Sequence, residues 1–189
     1  MAYCDDHILT FSVSCIHHQA SLTMVAITMI AIKDFDGAQA KLQKVLHLTR
    51  KKYGYNHEKI AVILNNIGLC HYELGGLLTA SKAFEEAVEI LRDSTKKPIE
   101  ATDLIQISIM SGRCLNNLAF IRCKRKEYAE AIVALEEALQ MQRRIFGNEH
   151  KVVNDTVESL ALCMAIANCK NNKDKLEHVT NMYIEMLGS

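Results

Sequence analysis

The side chains with chemical potential in this chain are cysteines, histidines and asparagines in short clusters. The nearest approaches to a metal-ligand set are Cys15-Ile16-His17-His18 and Cys70-His71. Adjacent residues on a helix point about 100° apart, so neither cluster converges on one ion. The chain also lacks a glycine-rich phosphate loop, a G-x-S-x-G turn and an H-E-x-x-H motif. We therefore expect no catalytic residue, no metal site and no cofactor, and predict that the protein is not an enzyme. The alternative is a helical enzyme with a buried cysteine or histidine centre.

The asparagines lie in a five-residue motif that occurs twice. Leu64-Asn65-Asn66-Ile67-Gly68 recurs 51 residues later as Leu115-Asn116-Asn117-Leu118-Ala119. Counting 42 residues back from Gly68 reaches Ala26, and counting 42 on from Ala119 reaches Ala161. A small residue at each equivalent position allows two paired helices to approach closely. The motif therefore predicts four equivalent helices, each packed tightly on a partner.

A second apolar pattern follows each of the first three of these equivalent helices. Segments that begin at Phe35, Leu77 and Tyr128 carry matching apolar residues at offsets of 3, 7, 10 and 11, which lie on one face of a helix. The shared positions are Ala38, Ala80 and Ala131; Leu42, Phe84 and Leu135; Val45, Ala87 and Ala138; and Leu46, Val88 and Leu139. Each copy is therefore predicted to be a helical hairpin. The best-preserved one spans Ala61–Leu91 and turns at Leu74-Gly75-Gly76.

These motifs carry a family resemblance. Leu64-x2-Ile67-Gly68-x2-His71 followed by Ala80-x3-Phe84 resembles the W-x2-L-G-x2-Y and A-x3-F pattern of tetratricopeptide repeats. The period of 42 and the linkers Gly54-Tyr55-Asn56-His57 and Gly147-Asn148-Glu149-His150 are similar to the longer repeats of kinesin light chain. The chain departs from the pattern in Leu64 at the Trp position, in His71 at the Tyr position and in lacking the closing Pro. The resemblance implies an all-α fold: a right-handed α-solenoid of about four antiparallel helical hairpins.

The resemblance also implies a domain organisation. The repeat domain is expected at 20–187, with repeats at about 20–53, 57–95, 99–146 and 149–187, after an N-terminal extension or remnant helix at 1–19. Nine extra residues fall around Asp93 to Asp103, so the first helix of the third repeat is predicted to be unusually long, from about Ile99 to Lys124. The fourth repeat is degenerate. Its second helix is expected from about Asp174 to Leu187, with the polar outer face that a solenoid end requires.

In tetratricopeptide folds the first helices of successive hairpins line a concave groove that binds extended peptides. By that family geometry, the predicted peptide-binding residues are Asn66 and Asn117, which match the family's clamp asparagines, with Asn65, Asn116, Arg113, Tyr72 and Phe120. An amide both donates and accepts, so it can bind a peptide backbone of any sequence. A guanidinium favours acidic peptides or a C-terminal carboxylate. The alternative for the asparagines is that they bond to neighbouring helices and hold the repeats in register.

Composition limits the partners and the compartment. Lys+Arg and Asp+Glu are both 22, so the chain lacks the basic field that gives most nucleic-acid affinity. The seven cysteines form no C-x-x-C pair and mostly occupy apolar helical patterns, which favours free thiols in a reducing compartment. The apolar run Ser21–Ile32 follows Asp5 and Asp6 rather than a basic segment, so we predict a buried helix rather than a signal peptide or membrane span.

We therefore predict a cytoplasmic, non-catalytic protein–protein interaction scaffold that binds an extended peptide or a partner helix in its concave groove. Nucleic acid and membrane are not expected as partners. The alternative is a regulatory or assembly module of a larger repeat protein. In that case the apolar Ser21–Ile32 end would form a homo-oligomer interface, because terminal repeats otherwise need polar caps.

Overall fold

The computed structural model describes residues 22–96 and 100–168, and within them it contains helices and turns but no strand. We number the helices α1 to α7 in chain order. They are α1 at 22–31, α2 at Phe35–Tyr53, α3 at Glu58–Glu73, α4 at Leu77–Ser94, α5 at Ala101–Lys124, α6 at Tyr128–Phe146 and α7 at Lys151–Asn168. The prediction of an all-α fold is therefore confirmed.

The helices form successive hairpins: hairpin one is α1–α2, hairpin two is α3–α4 and hairpin three is α5–α6. From α2 onwards each helix packs against the next one in the chain, while α3 also contacts α5 and α5 contacts α7. The first helices of the hairpins thus stand in a row, as an α-solenoid requires. The N-terminal extension and the predicted second helix of repeat four lie outside the described residues, and the repeat boundaries stay predictions.

The turn inside each hairpin has one geometry. Lys33, Gly75 and Lys126 occupy the equivalent position and have positive φ angles of 63°, 81° and 66°. Their amides donate to the carbonyl oxygens of Ile30, Tyr72 and Cys123 at 3.0, 2.9 and 2.9 Å. These bonds satisfy carbonyls that the end of a helix leaves without partners. Glycine adopts this conformation freely, whereas lysine adopts it at a cost.

The linkers between hairpins also repeat. Gly54 and Gly147 end their helices with φ angles of 83° and 76°. His57 Nδ1 accepts a hydrogen bond from the Lys59 amide at 3.3 Å, and His150 Nδ1 accepts one from Val152 at 3.2 Å. Each linker histidine therefore caps the helix that follows it, which gives a physical reason for the shared Gly-x-x-His linkers.

The predicted packing positions form the core. All twelve shared positions of the second helices are buried, as are Ala26, Gly68 and Ala119. A Cβ atom added to Gly68 would lie 2.6 Å from the Phe84 ring, so this position must be small. Ala161 differs from the prediction because it is exposed. In hairpin two the Phe84 ring of α4 covers Gly68. The stretch of repeat four that corresponds to α4 lies outside the described residues.

Ion pairs join the second helices at equivalent positions. Arg50 on α2 pairs with Glu86 on α4, and Arg92 on α4 pairs with Glu137 on α6. The second pair is bidentate, with Arg92 Nε 2.6 Å from Glu137 Oε1. Glu137 raises the pKa of the Arg92 guanidinium, so the pair keeps its charge. Consecutive hairpins are thus linked on the side formed by α2, α4 and α6.

The long first helix predicted for the third repeat is present. α5 has 24 residues and α3 has 16. Glu58, the first residue of α3, corresponds to Ile109 in the register of 51, so the eight residues 101–108 of α5 have no counterpart in α3. We call these residues the α5 extension.

Candidate peptide-binding groove

All the predicted peptide-binding residues lie on α3 and α5, the adjacent first helices of hairpins two and three. Asn65, Asn66 and Tyr72 come from α3, while Arg113 and the remaining three come from α5. We use the name groove for the surface that these two helices share. The structure brings some of the predicted residues into direct contact and leaves others without a polar partner.

Two aromatic rings meet across the groove. Tyr72 and Phe120 are half-buried, with ring centroids 5.1 Å apart and ring planes at 76°, an edge-to-face arrangement. Lys124 Nζ lies 5.3 Å from the Phe120 centroid. Burial raises the pKa of the Tyr72 phenol, and the charge of Glu73 adds to the effect, so the hydroxyl stays protonated at neutral pH. The pair links the two helices and leaves apolar ring surface at the groove.

Asn65 and Asn117 bind each other. Asn117 Nδ2 donates to Asn65 Oδ1 at 2.9 Å, and the Cys114 thiol donates to the same oxygen at 3.6 Å. Asn65 is only 8% exposed. These bonds connect hairpin two to hairpin three, which is the register-holding role that the sequence left open as the alternative.

Asn116 makes the corresponding contact with the next repeat. Its Nδ2 donates to Thr156 Oγ1 on α7 at 3.4 Å, and the Thr156 hydroxyl in turn donates to the Val152 carbonyl at 3.0 Å. Asn116 Oδ1 is buried and has no hydrogen-bond partner in the described part of the chain. Cys114 and Thr156 are 42 residues apart, so both occupy one repeat position. Neither partner was predicted from the sequence, because the repeat register shows that the two residues are equivalent but not what they contact.

Arg113 and Asn66 remain available to a ligand. Arg113 is exposed and Asn66 is half-buried, and neither has a hydrogen bond or ion pair within residues 22–96 and 100–168. Other basic residues near the end of α5 are paired: Arg122 with Glu85 at 3.4 Å, and Arg125 with Glu127 at 2.8 Å. Arg113 is therefore the arginine of the groove that has no ion pair among the described residues.

The described cysteines are buried free thiols. Cys70, Cys114, Cys123 and Cys163 are all of this kind. Burial raises the pKa of Cys114 to about 12, although the charge of Arg113 opposes it. Cys163 lies with its sulfur 3.3 Å from that of Cys123, and this hydrogen bond together with burial raises its pKa as well. Such thiols are poor nucleophiles at neutral pH because the thiolate is the reactive form.

The described residues contain no group of three or more His, Cys, Asp or Glu side chains that could hold a metal ion. None of their helices is long and apolar enough to cross a membrane.

Comparison with known proteins identifies the family. One tetratricopeptide-repeat model matches residues 18–93 and a second matches residues 112–150, which together make up more than half of the chain. The chain belongs to the tetratricopeptide-repeat family, as the sequence motifs predicted. Repeats of this family mediate protein–protein interactions, so a protein partner is expected for this chain.

A solved structure shows the same fold. The crystal structure of BtubC (BKLC) from P. vanneervenii matches with a TM-score of 0.62 and 16% sequence identity. The match covers 90% of this chain and 63% of that chain, so the present chain spans less than two thirds of its length. At this identity the likeness concerns the fold alone. No curated protein matches the chain in a sequence search.

Proposed function

We propose that this protein is a non-catalytic, cytoplasmic scaffold that binds an extended peptide of a partner protein across α3 and α5. The observation that carries the proposal is Arg113, an exposed guanidinium on the first helix of hairpin three with no ion pair among the described residues. A free guanidinium binds a carboxylate through two parallel hydrogen bonds. The peptide is therefore expected to carry an acidic side chain or a C-terminal carboxylate at this point.

The remaining predicted residues take two different roles in this proposal. Asn66 has a free amide for the peptide backbone, and the Tyr72–Phe120 pair offers ring surface for an apolar or planar group. Asn65, Asn116 and Asn117 bond between repeats, and we assign them mainly to holding α3, α5 and α7 in register. The balanced charge of the chain supports a protein partner rather than nucleic acid.

Two steps test the proposal. Random peptides are first selected on the immobilised protein, and the affinity of one selected peptide is then measured by fluorescence anisotropy. Arg113→Glu is expected to weaken binding by about tenfold or more, because a hydrogen bond to a charged group contributes about 1.5–3 kcal/mol. Arg144→Glu is the matched control, since Arg144 is an exposed arginine on α6 outside the groove. Equal binding by wild type and Arg113→Glu would rule out the groove. Failure to select any peptide would rule out the proposed function.

A second candidate function is self-association through hairpin one. Four large apolar side chains in the described part of this hairpin are exposed: Met24, Val25, Ile27 and Ile32, with Met24 63% and Ile32 70% exposed. Apolar surface of this kind marks interaction sites on soluble domains. Light scattering on the purified chain tests it: a dimer that dissociates in the Met24→Glu, Ile27→Glu double variant supports self-association, and a wild-type monomer rules it out.

A further inference from the structure

A pocket lies beside the groove, at the end where α5 is longer than α3. The α5 extension passes the start of α3. Together with the linker before α3 and the end of α4 it encloses about 530 Å³. This volume falls within the roughly 300–1,000 Å³ typical of ligand sites. The α5 extension supplies Asp103, Gln106 and Ile107 to the lining, so one wall of the pocket comes from the extra residues of repeat three.

Four apolar side chains form one part of the pocket lining, beside polar residues such as Ser94 and Gln106. They are Val62 from α3, Leu91 from α4, and Ile107 and Met110 from α5. Val62 lies on α3 about one turn before Asn65 and is 37% exposed, so the pocket adjoins the groove. A peptide that lies across α3 and α5 can place one side chain in the pocket without leaving the groove.

The rim of the pocket carries more negative than positive charge. Glu58 lies on the α3 side and Asp103 on the α5 side, and both line the pocket with Lys59. The Lys59 ammonium lies 4.6 Å from the Tyr53 ring centroid, so it has a partner already. Asp103 has no ion pair in the described part of the chain. The nitrogen nearest to Glu58 is His57 Nδ1 at 3.1 Å, and because this nitrogen accepts the hydrogen bond from the Lys59 amide it offers Glu58 no proton. The two carboxylates therefore favour a cation beside the apolar side chains of the pocket.

We propose that this pocket selects one large apolar side chain of the partner peptide, with a lysine or arginine next to it that binds Glu58 and Asp103. The inference rests on the proposed function and deepens it, because it names the second determinant of the peptide besides the acidic group at Arg113. The acidic residue of the peptide then binds Arg113, and its basic residue binds Glu58 and Asp103 on the same surface. This opposition fixes the orientation of the bound peptide.

The test compares peptides selected from a random display library on wild type and on two variants. Wild type is expected to enrich Leu, Ile, Met or Phe beside Lys or Arg. Replacement of that apolar residue by Ala in the selected peptide is expected to weaken binding about tenfold, a loss of about 1.4 kcal/mol. Val62→Trp places a bulky ring against the apolar side chains of the pocket, so the same Ala replacement should then have a much smaller effect. Val133→Trp, at a 61% exposed position on α6, is the matched control and should behave as wild type.

Asp103→Lys gives an independent reading, because Asp103 is exposed and its replacement leaves the core intact. This variant should shift the selected peptides from basic to acidic residues beside the apolar one. Wild-type peptides that bind through Arg113 but show no apolar and basic preference would overturn the pocket and leave the proposed function standing. A preference that persists in Val62→Trp and Asp103→Lys would overturn it equally. If no peptide binds wild type, both proposals fail.

Discussion

Hairpins two and three share one backbone plan and fill it with different side chains. Where Gly68 lies against the Phe84 ring in hairpin two, the equivalent residues of hairpin three are Ala119 and Leu135, both fully buried. Gly68 is the smaller residue and is paired with the larger side chain of Phe84. Ala119 is the larger residue and is paired with the smaller side chain of Leu135. The repeat therefore conserves the total volume at this helix contact rather than the identity of either residue, as close-packed interiors require.

The hairpins also differ in the polarity of their cores. Leu91 of α4 is replaced in α6 by Gln142, which is 1% exposed, and Ala61 is replaced by Gly112. A Cβ atom on Gly112 would lie 2.2 Å from Gln142 Nε2, so the glycine makes room for the amide. Both polar atoms of that amide lack a hydrogen-bond partner among the described residues. Hairpin three thus carries a buried polar group where hairpin two has an aliphatic one.

The largest effect is expected from breaking the volume match. Gly68→Ala should destabilise the protein by about 2 kcal/mol, because overpacking against Phe84 outweighs the better helix propensity of alanine. Adding Phe84→Leu gives hairpin two the residues of hairpin three and should recover most of the loss. Urea unfolding of the two single variants and the double variant measures the coupling. Additive losses would show that the two positions do not compensate each other.

The polar core of hairpin three gives the next effect. Gln142→Leu introduces the residue that hairpin two has at this position and removes two unpaired buried atoms. We expect a gain of about 1–2 kcal/mol, since an unsatisfied buried polar group costs about 1–3 kcal/mol. Thermal and urea unfolding would detect it. A loss of stability would mean that the Gln142 amide makes a stabilising interaction that a leucine side chain cannot make.

A third difference is an ionisable group. Cys114 in hairpin three stands where hairpin two has Ile63. The pKa of the folded Cys114 thiol is raised from 9.0 to about 12, mainly by burial. Above pH 9 the unfolded thiol ionises and the folded one does not, so stability falls until the pH passes about 12. At pH 10 this thiol should make the free energy of unfolding about 1 kcal/mol lower than at pH 8.

The Cys114→Ala variant isolates this contribution. Its stability should fall less than that of wild type between pH 8 and pH 10, while every other ionisable group is unchanged. Parallel urea titrations at the two pH values supply the difference. Identical pH dependence in both proteins would show that burial does not control the titration of this thiol.

The smallest effect concerns the turns. Lys126 adopts the left-handed conformation that Gly75 adopts in hairpin two. Lys126→Gly should stabilise the protein by about 0.5–1 kcal/mol, because it relieves the steric cost of the side chain in this conformation. The gain should appear as a small rise in melting temperature. A parallel Lys44→Gly control, at an exposed position in the middle of α2, should lower the melting temperature by a similar amount.

The hairpins could be predicted from sequence because their apolar spacing is local. Offsets from Phe35, Leu77 and Tyr128 identified buried positions without knowledge of any neighbour. Contacts between hairpins could not be predicted in the same way. The bond between Asn65 and Asn117, and the proximity of the Cys123 and Cys163 sulfurs, depend on how adjacent helices are offset along their axes. The pocket depends on the position of the α5 extension beside α3, which the nine extra residues alone did not specify.

The amide contacts between hairpins have a consequence for how the array unfolds. Asn117 binds Asn65 on the preceding repeat, and Asn116 binds Thr156 on the following one. If one hairpin unravelled alone, these hydrogen bonds to its neighbours and the packing around them would be lost, which opposes partial melting. Strong nearest-neighbour coupling makes a repeat array cooperative. A peptide that bridges α3 and α5 would then protect amide hydrogens from exchange well beyond the residues that it touches.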